Sequence, residues 1–139
     1  MTNHFSRRRF LAAFTCVAAG IAAAPQSLFA ATARRGVHPT PRPGITAARV
    51  VPAASLRNKK KAIEVFDMVR EIPQVIDGIH CYCGCAELPD SYSLLSCFES
   101  DGMAQVCHIC QGEARLAHRL HTDGKSLDEI RAAIDAKYA

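Results

Sequence analysis

Apolar residues at Ala62, Ile63, Val65, Phe66, Val69 and Ile72 recur at spacings of three and four, the repeat of one buried helix face, and predict a helix over 59–71. Pro73 interrupts it, because proline brings no backbone N–H to a continuing helix. The stretch 74–79 reads as one more helical turn, closed by Gly78. A second helix is predicted over 113–121, with Ala114, Leu116, Ala117 and Leu120 turned inward and Asp123-Gly124 at its end. Ser126 and Glu129 form a capping box for a third helix, whose apolar face is Leu127, Ile130, Ala133, Ile134 and Tyr138. No pair of alternating β-branched runs, internal repeat or glycine-rich phosphate loop interrupts this pattern. The predicted fold class is all-α, small and irregular: three to four short helices around a cysteine-rich loop centre, together forming a domain over 62–139.

Upstream of residue 62 the periodicity is lost. Ser6-Arg7-Arg8-Arg9-Phe10-Leu11 precedes a short alanine-rich run, and Ala31-Thr32-Ala33 offers an A-x-A cleavage site. This resembles a bacterial twin-arginine (Tat) export signal, assigned to residues 1–33. The run falls short of the ~20 apolar residues a bilayer span requires. The mature protein is therefore expected in the periplasm, with no stable membrane span after cleavage. Cys16 leaves with the signal. Residues 34–61 hold Pro39, Pro41, Pro43 and Pro52 and show neither helical nor strand repeat, which predicts a disordered Pro/Arg/Lys-rich tether.

Charge follows the same division. The 139 residues carry a net +4, but residues 1–61 hold no acidic side chain, while 62–139 hold six basic against thirteen acidic ones. The basic balance thus belongs to the leader and tether, and nucleic acid is excluded as a partner.

A predicted domain of about 78 residues with three short helices gains little beyond the entropy of ordering its chain, so a cross-link is expected. Six cysteines remain to supply it: Cys81, Cys83 and Cys85 in a CxCxC run, then Cys97, then Cys107 and Cys110 in a CxxC. Cysteines two apart bridge each other poorly, because the backbone between them must buckle to reach disulfide geometry. Three sulfurs on one side of a short turn can instead converge on a metal, with Gly84 giving the turn its freedom. Cys107 and Cys110 open into a helix near Gln111, whose amides and dipole favour thiolate. A c-type haem would need His at the position of Gln111, and a thioredoxin-like enzyme would need a βαβ framework; neither is present.

These six sulfurs are the candidate metal ligands. Soft donors favour copper(I), with zinc or iron–sulfur next. Met103 is a candidate thioether donor, His80 and His108 flank the cysteines, and Tyr82 is read as a packing residue shielding the site. His118 and His121 are placed on a solvated helix face. No Ser/His/Asp grouping or carboxylate pair supports an enzyme.

The residues 72–77, Cys81-Tyr82-Cys83-Gly84-Cys85, Ser93-Leu94-Leu95-Ser96-Cys97-Phe98, Cys107-His108-Ile109-Cys110 with Glu113-Ala114, and the tail from Gly124 to Tyr138 together resemble the exported bacterial proteins and lipoproteins named after their PCYCGC motif. The resemblance spans 62–139 and implies a metal-binding protein without an established enzymatic activity. His80 replaces the proline of the motif. Tyr92 and Met103 stand where the resemblance implies histidines, which makes this chain's site the more sulfur-rich.

The function expected is therefore metal storage, delivery or sensing, with a periplasmic metal-trafficking or redox protein as partner. The alternative is a thiol-disulfide redox or disulfide-stapled binding module without metal. Convergent sulfurs would favour the first, and separate close pairs the second.

Overall fold

Four α-helices carry the domain: α1 (Lys60–Glu71), α2 (Pro73–Asp77), α3 (His108–Thr122) and α4 (Leu127–Tyr138). The computed structural model describes residues 36–56 and 59–139. The export signal expected over 1–33 lies outside the described residues. Among those described there is no strand, and short 3-10 turns at Cys85–Glu87, Leu94–Phe98 and Met103–Gln105 build the cysteine-bearing middle. The fold is helical, as its apolar periodicity predicts. None of the described helices is long and apolar enough to cross a membrane.

The helix boundaries follow the local chemistry. Pro73 ends α1 and takes the first position of α2, where its missing N–H costs nothing. At the start of α4 the Ser126 hydroxyl accepts from the Glu129 N–H while the Glu129 carboxylate accepts from the Ser126 N–H. Helix α3 begins five residues earlier than the periodicity predicts, because His108, Gln111 and Gly112 hide its first turn. Cys110 nonetheless shares one buried face with Ala114 and Ala117. Gly112 permits the close approach of α4: a Cβ there would stand 2.5 Å from the Tyr138 hydroxyl.

Helix α3 packs against both α1 and α4. The core between them holds Val65, Phe66, Val69, Ile76, Ile79, Leu94, Leu95, Phe98, Ile130 and Ile134, all essentially without solvent contact. Phe66 and Phe98 meet edge to face at 4.8 Å between ring centres, tying α1 to the turn that carries Cys97.

Residues 36–56 depart from the disordered tether that their composition predicts, since they pack on the helices. Ile45, Val50, Val51 and Leu56 are buried in the same core. The Val51 N–H donates to the Phe98 carbonyl at 3.0 Å, and the Arg70 guanidinium holds the Val51 carbonyl. Arg42 clasps Asp77 with both its backbone N–H and its guanidinium. Isolated apolar anchors of this kind carry no period to read. The prolines that suggest disorder instead reduce the entropy lost when the segment docks.

Candidate metal centre

The CYCGC segment leaves α2 and turns sharply. Gly84 adopts a left-handed backbone (φ +86°), which turns the chain so that the Cys85 N–H faces back to the Cys83 sulfur at 3.4 Å. Two further elements bring sulfur to the same point. The 3-10 turn Leu94–Phe98, closed by a Ser93/Ser96 capping box, delivers Cys97, and the first turn of α3 delivers Cys110.

Cys81, Cys83, Cys97 and Cys110 converge so that their sulfurs all lie within 4.8 Å of one another. The Cys81 thiol donates to Cys83 at 3.2 Å, Cys110 to Cys83 at 3.3 Å and Cys97 to Cys81 at 3.6 Å, while Cys81 and Cys110 are 3.6 Å apart. Cys81, Cys97 and Cys110 are buried and Cys83 half-buried. All six thiols are free.

Cys85 and Cys107, also candidate ligands, lie outside this group of four. Cys85 is half-buried beside it, its N–H donating to the Cys83 sulfur at 3.4 Å. Cys107 is half-buried at the N-cap of α3. Met103 and His108 are exposed, and the His80 ring packs edge to face against Tyr82 at 4.9 Å. His121 is exposed, and the half-buried His118 bonds Glu71 at 2.7 Å.

The electrostatics separate one thiol from its neighbours. Burial pushes Cys83 up, but hydrogen bonds from Cys85, Cys81 and Cys110 outweigh it and hold this thiol below the ordinary range. Hydrogen bonding with Cys110 and burial push Cys81 far up, against the pull of Cys97. For Cys97 the hydrogen bond with Cys110 pulls down, and that with Cys81 together with burial overrides it. Burial and the neighbouring Cys83 push Cys85 to about 11. Cys83 thus accepts from both Cys81 and Cys110 and gives up its proton more readily than Cys81, Cys97 or Cys110, and a cation bound by the four sulfurs would displace their protons and replace these hydrogen bonds.

A second layer holds the CYCGC backbone. The Tyr82 N–H donates to Glu113 Oε1 at 2.7 Å, and the Tyr82 hydroxyl donates to Asp135 at 2.6 Å while accepting from the Gly36 N–H at 2.8 Å. The His80 N–H donates to His38 Nδ1 at 3.0 Å, and His38 Nε2 meets Asp135 at 2.8 Å. Both neighbours of Cys81 are thus pinned by groups from α3, α4 and the N-terminal segment. Tyr82 is the packing residue its position suggests, with a polar anchor as well.

Glu113 belongs to the block that carries the family resemblance but not to the candidate ligands, and the structure places it at the site. It is fully buried, its Oε2 has no hydrogen-bond partner, and burial pushes its carboxyl up to about 7 against the pull of the Tyr82 N–H and the Cys81 thiol. The signal that could find it is its place three positions after Cys110 on the buried face of α3, next to Ala114.

A family model described as a protein of unknown function with PCYCGC motif matches residues 43–139. No curated protein and no solved structure matches the chain.

Proposed function

The chain belongs to the PCYCGC-motif family, and from that premise we propose that it is an exported carrier of a single soft metal ion, copper(I), held by Cys81, Cys83, Cys97 and Cys110. The observation that carries this reading is the convergence of four thiols from three separate elements. Four sulfurs around one ion at ~2.3 Å form a tetrahedron with edges of about 3.8 Å. Four of the six sulfur pairs here are 3.2–3.6 Å apart and all lie within 4.8 Å, distances that bracket this edge, so small shifts of the side chains would admit an ion. An iron–sulfur cluster places its own iron and sulfide between the cysteines and needs a wider array.

Copper(I) is favoured by the all-sulfur donor set and by the thioether of Met103, which lines one cavity with Cys97. Zinc is the second reading, because a closed tetrahedral set of four thiolates is also its structural preference. One ion per chain is a small capacity for storage, which favours delivery or sensing, by exchange with a periplasmic partner and without catalysis. The twin-arginine sequence at Arg7-Arg8 supports the export step. The thiol-disulfide alternative is less well supported, since four sulfurs form one shared group and Cys107 of the CxxC stands outside it, apart from Cys110.

Elemental analysis with thiol counting on protein purified anaerobically through its native export route tests the proposal. It expects about one copper per chain with thiols reduced. Six oxidised cysteines and background metal would overturn it.

A further inference from the structure

A cavity of about 430 Å³ reaches the metal centre from one side, and its wall contains Cys97, Cys85, Leu88 and Met103. Cys97 is a buried member of the four-thiol group, Cys85 is half-buried beside it, and Met103 and Leu88 are exposed at 49% and 58%. Sulfur ligands are thus graded from solvent to interior along one opening. Met103 and Leu88 are also among the few large apolar side chains that the described residues leave exposed. A thioether held at a surface is a poor choice for core packing and a good ligand for a soft cation.

Building on the metal reading above, we propose that this cavity is the exchange port of the centre, with Met103 the outer ligand and Cys85 the relay thiol through which copper(I) passes. The steps are ligand substitutions. A bond from copper to Met103 sulfur forms first. A bond to Cys85 sulfur follows as the Cys85 proton leaves to solvent; Cys97 and Cys83 then bind the ion as the outer bonds break, the Cys97 proton passing to the thiolate that Cys85 leaves, and the Cys83, Cys81 and Cys110 protons leave to solvent as those sulfurs close the set. Release runs in reverse, each freed thiolate regaining its proton, and copper stays in the +1 state throughout. The partner is accordingly a protein or small carrier presenting sulfur ligands at this opening.

The test loads the full exported chain with copper(I) anaerobically and follows its transfer to excess bicinchoninate by stopped-flow absorbance, for the native protein, Met103→Leu and Cys85→Ser. Both side chains are outside the core, and circular dichroism checks the fold. The port predicts an unchanged copper count per chain and transfer slowed by about tenfold or more in Cys85→Ser, with a smaller slowing in Met103→Leu. Transfer within twofold of native in both variants would overturn the port while leaving the four-thiol centre standing. Loss of the bound ion in Cys85→Ser would make Cys85 a ligand of the centre and also overturn the port. A native chain that binds no copper(I) would remove the metal reading itself.

Discussion

Arg42 and Asp77 form a two-pronged ion pair across the boundary that composition places between tether and domain. The guanidinium Nη2 lies 2.6 Å from Oδ1, and the Arg42 N–H donates to Oδ2 at 2.8 Å. Asp77 is fully buried, and the Ser93 hydroxyl also donates to it at 2.8 Å. Burial alone would raise its carboxyl, but the hydrogen bonds from Arg42 and Ser93 win and hold it below the usual range. Removing the cation with Arg42→Ala strands a buried carboxylate and should cost about 3–5 kcal/mol. Urea melts of the native and variant proteins check this. A loss below about 0.5 kcal/mol, the value for an uninvolved surface residue, would return residues 36–56 to the role of a tether.

The same pair fixes an acid limit. The carboxyl of Asp77 binds its proton more weakly folded than unfolded, so its stabilisation is complete above the unfolded value of 3.8 and is lost as pH falls through the lower folded value. Acid titration of the fold should show Arg42→Ala less sensitive than native between pH ~4 and ~2. Equal sensitivity in the two proteins would separate Asp77 from acid unfolding.

Gly84 is needed for its backbone and not for space, since its φ is +86° and no atom stands within 4 Å of the point a Cβ would occupy. Gly84→Ala should therefore cost about 1–2 kcal/mol. Gly84→Asn should cost less, because asparagine tolerates the left-handed region, and Gly84→Val more. Thermal melts of the metal-free series give the order; equal losses for Asn and Val would sink the left-handed argument.

The helical class, α1, α4 and the convergence of sulfur are legible in the sequence because each rests on a local code: a repeat of three and four, a capping box, a CxCxC with a glycine. What stays hidden there depends on distant partners. Val50 and Val51 reveal their burial only when the Phe98 carbonyl is in place to accept the Val51 N–H. Which four of six cysteines meet depends on the turn Leu94–Phe98 reaching the first turn of α3, a long-range event without a sequence period. Glu113 passes for one more acidic residue, because charge is normally a surface signal.

The six thiols should therefore separate into two classes. Serine at Cys81 or Cys110 removes a buried member of the shared group and should weaken copper(I) binding by about tenfold or more, roughly 1.4 kcal/mol. Serine at Cys107, outside the group, should change affinity by less than about threefold. Competition titrations with bicinchoninate measure both. A uniform loss across the positions would mean one six-sulfur cluster instead of a four-sulfur centre.

Glu113 gives the metal-free protein a dependence on pH of the opposite sign to that of Asp77. Its folded carboxyl holds its proton up to about 7, against an ordinary 4.5. The stability this contributes is fully present below about 4.5 and is lost as pH rises through about 7. The loss is roughly 3 kcal/mol at most. Glu113→Gln keeps an oxygen to accept the Tyr82 N–H, which Oε1 now receives at 2.7 Å, but it cannot ionise. Reduced, chelator-treated native protein should therefore lose more stability between pH 5 and 7.5 than Glu113→Gln does, and the variant should be the more stable at the upper end. Comparing the two proteins cancels the histidines and thiols that titrate in both. Parallel melting curves across that range would show that the Glu113 carboxyl is ionised, and stabilised, inside the fold.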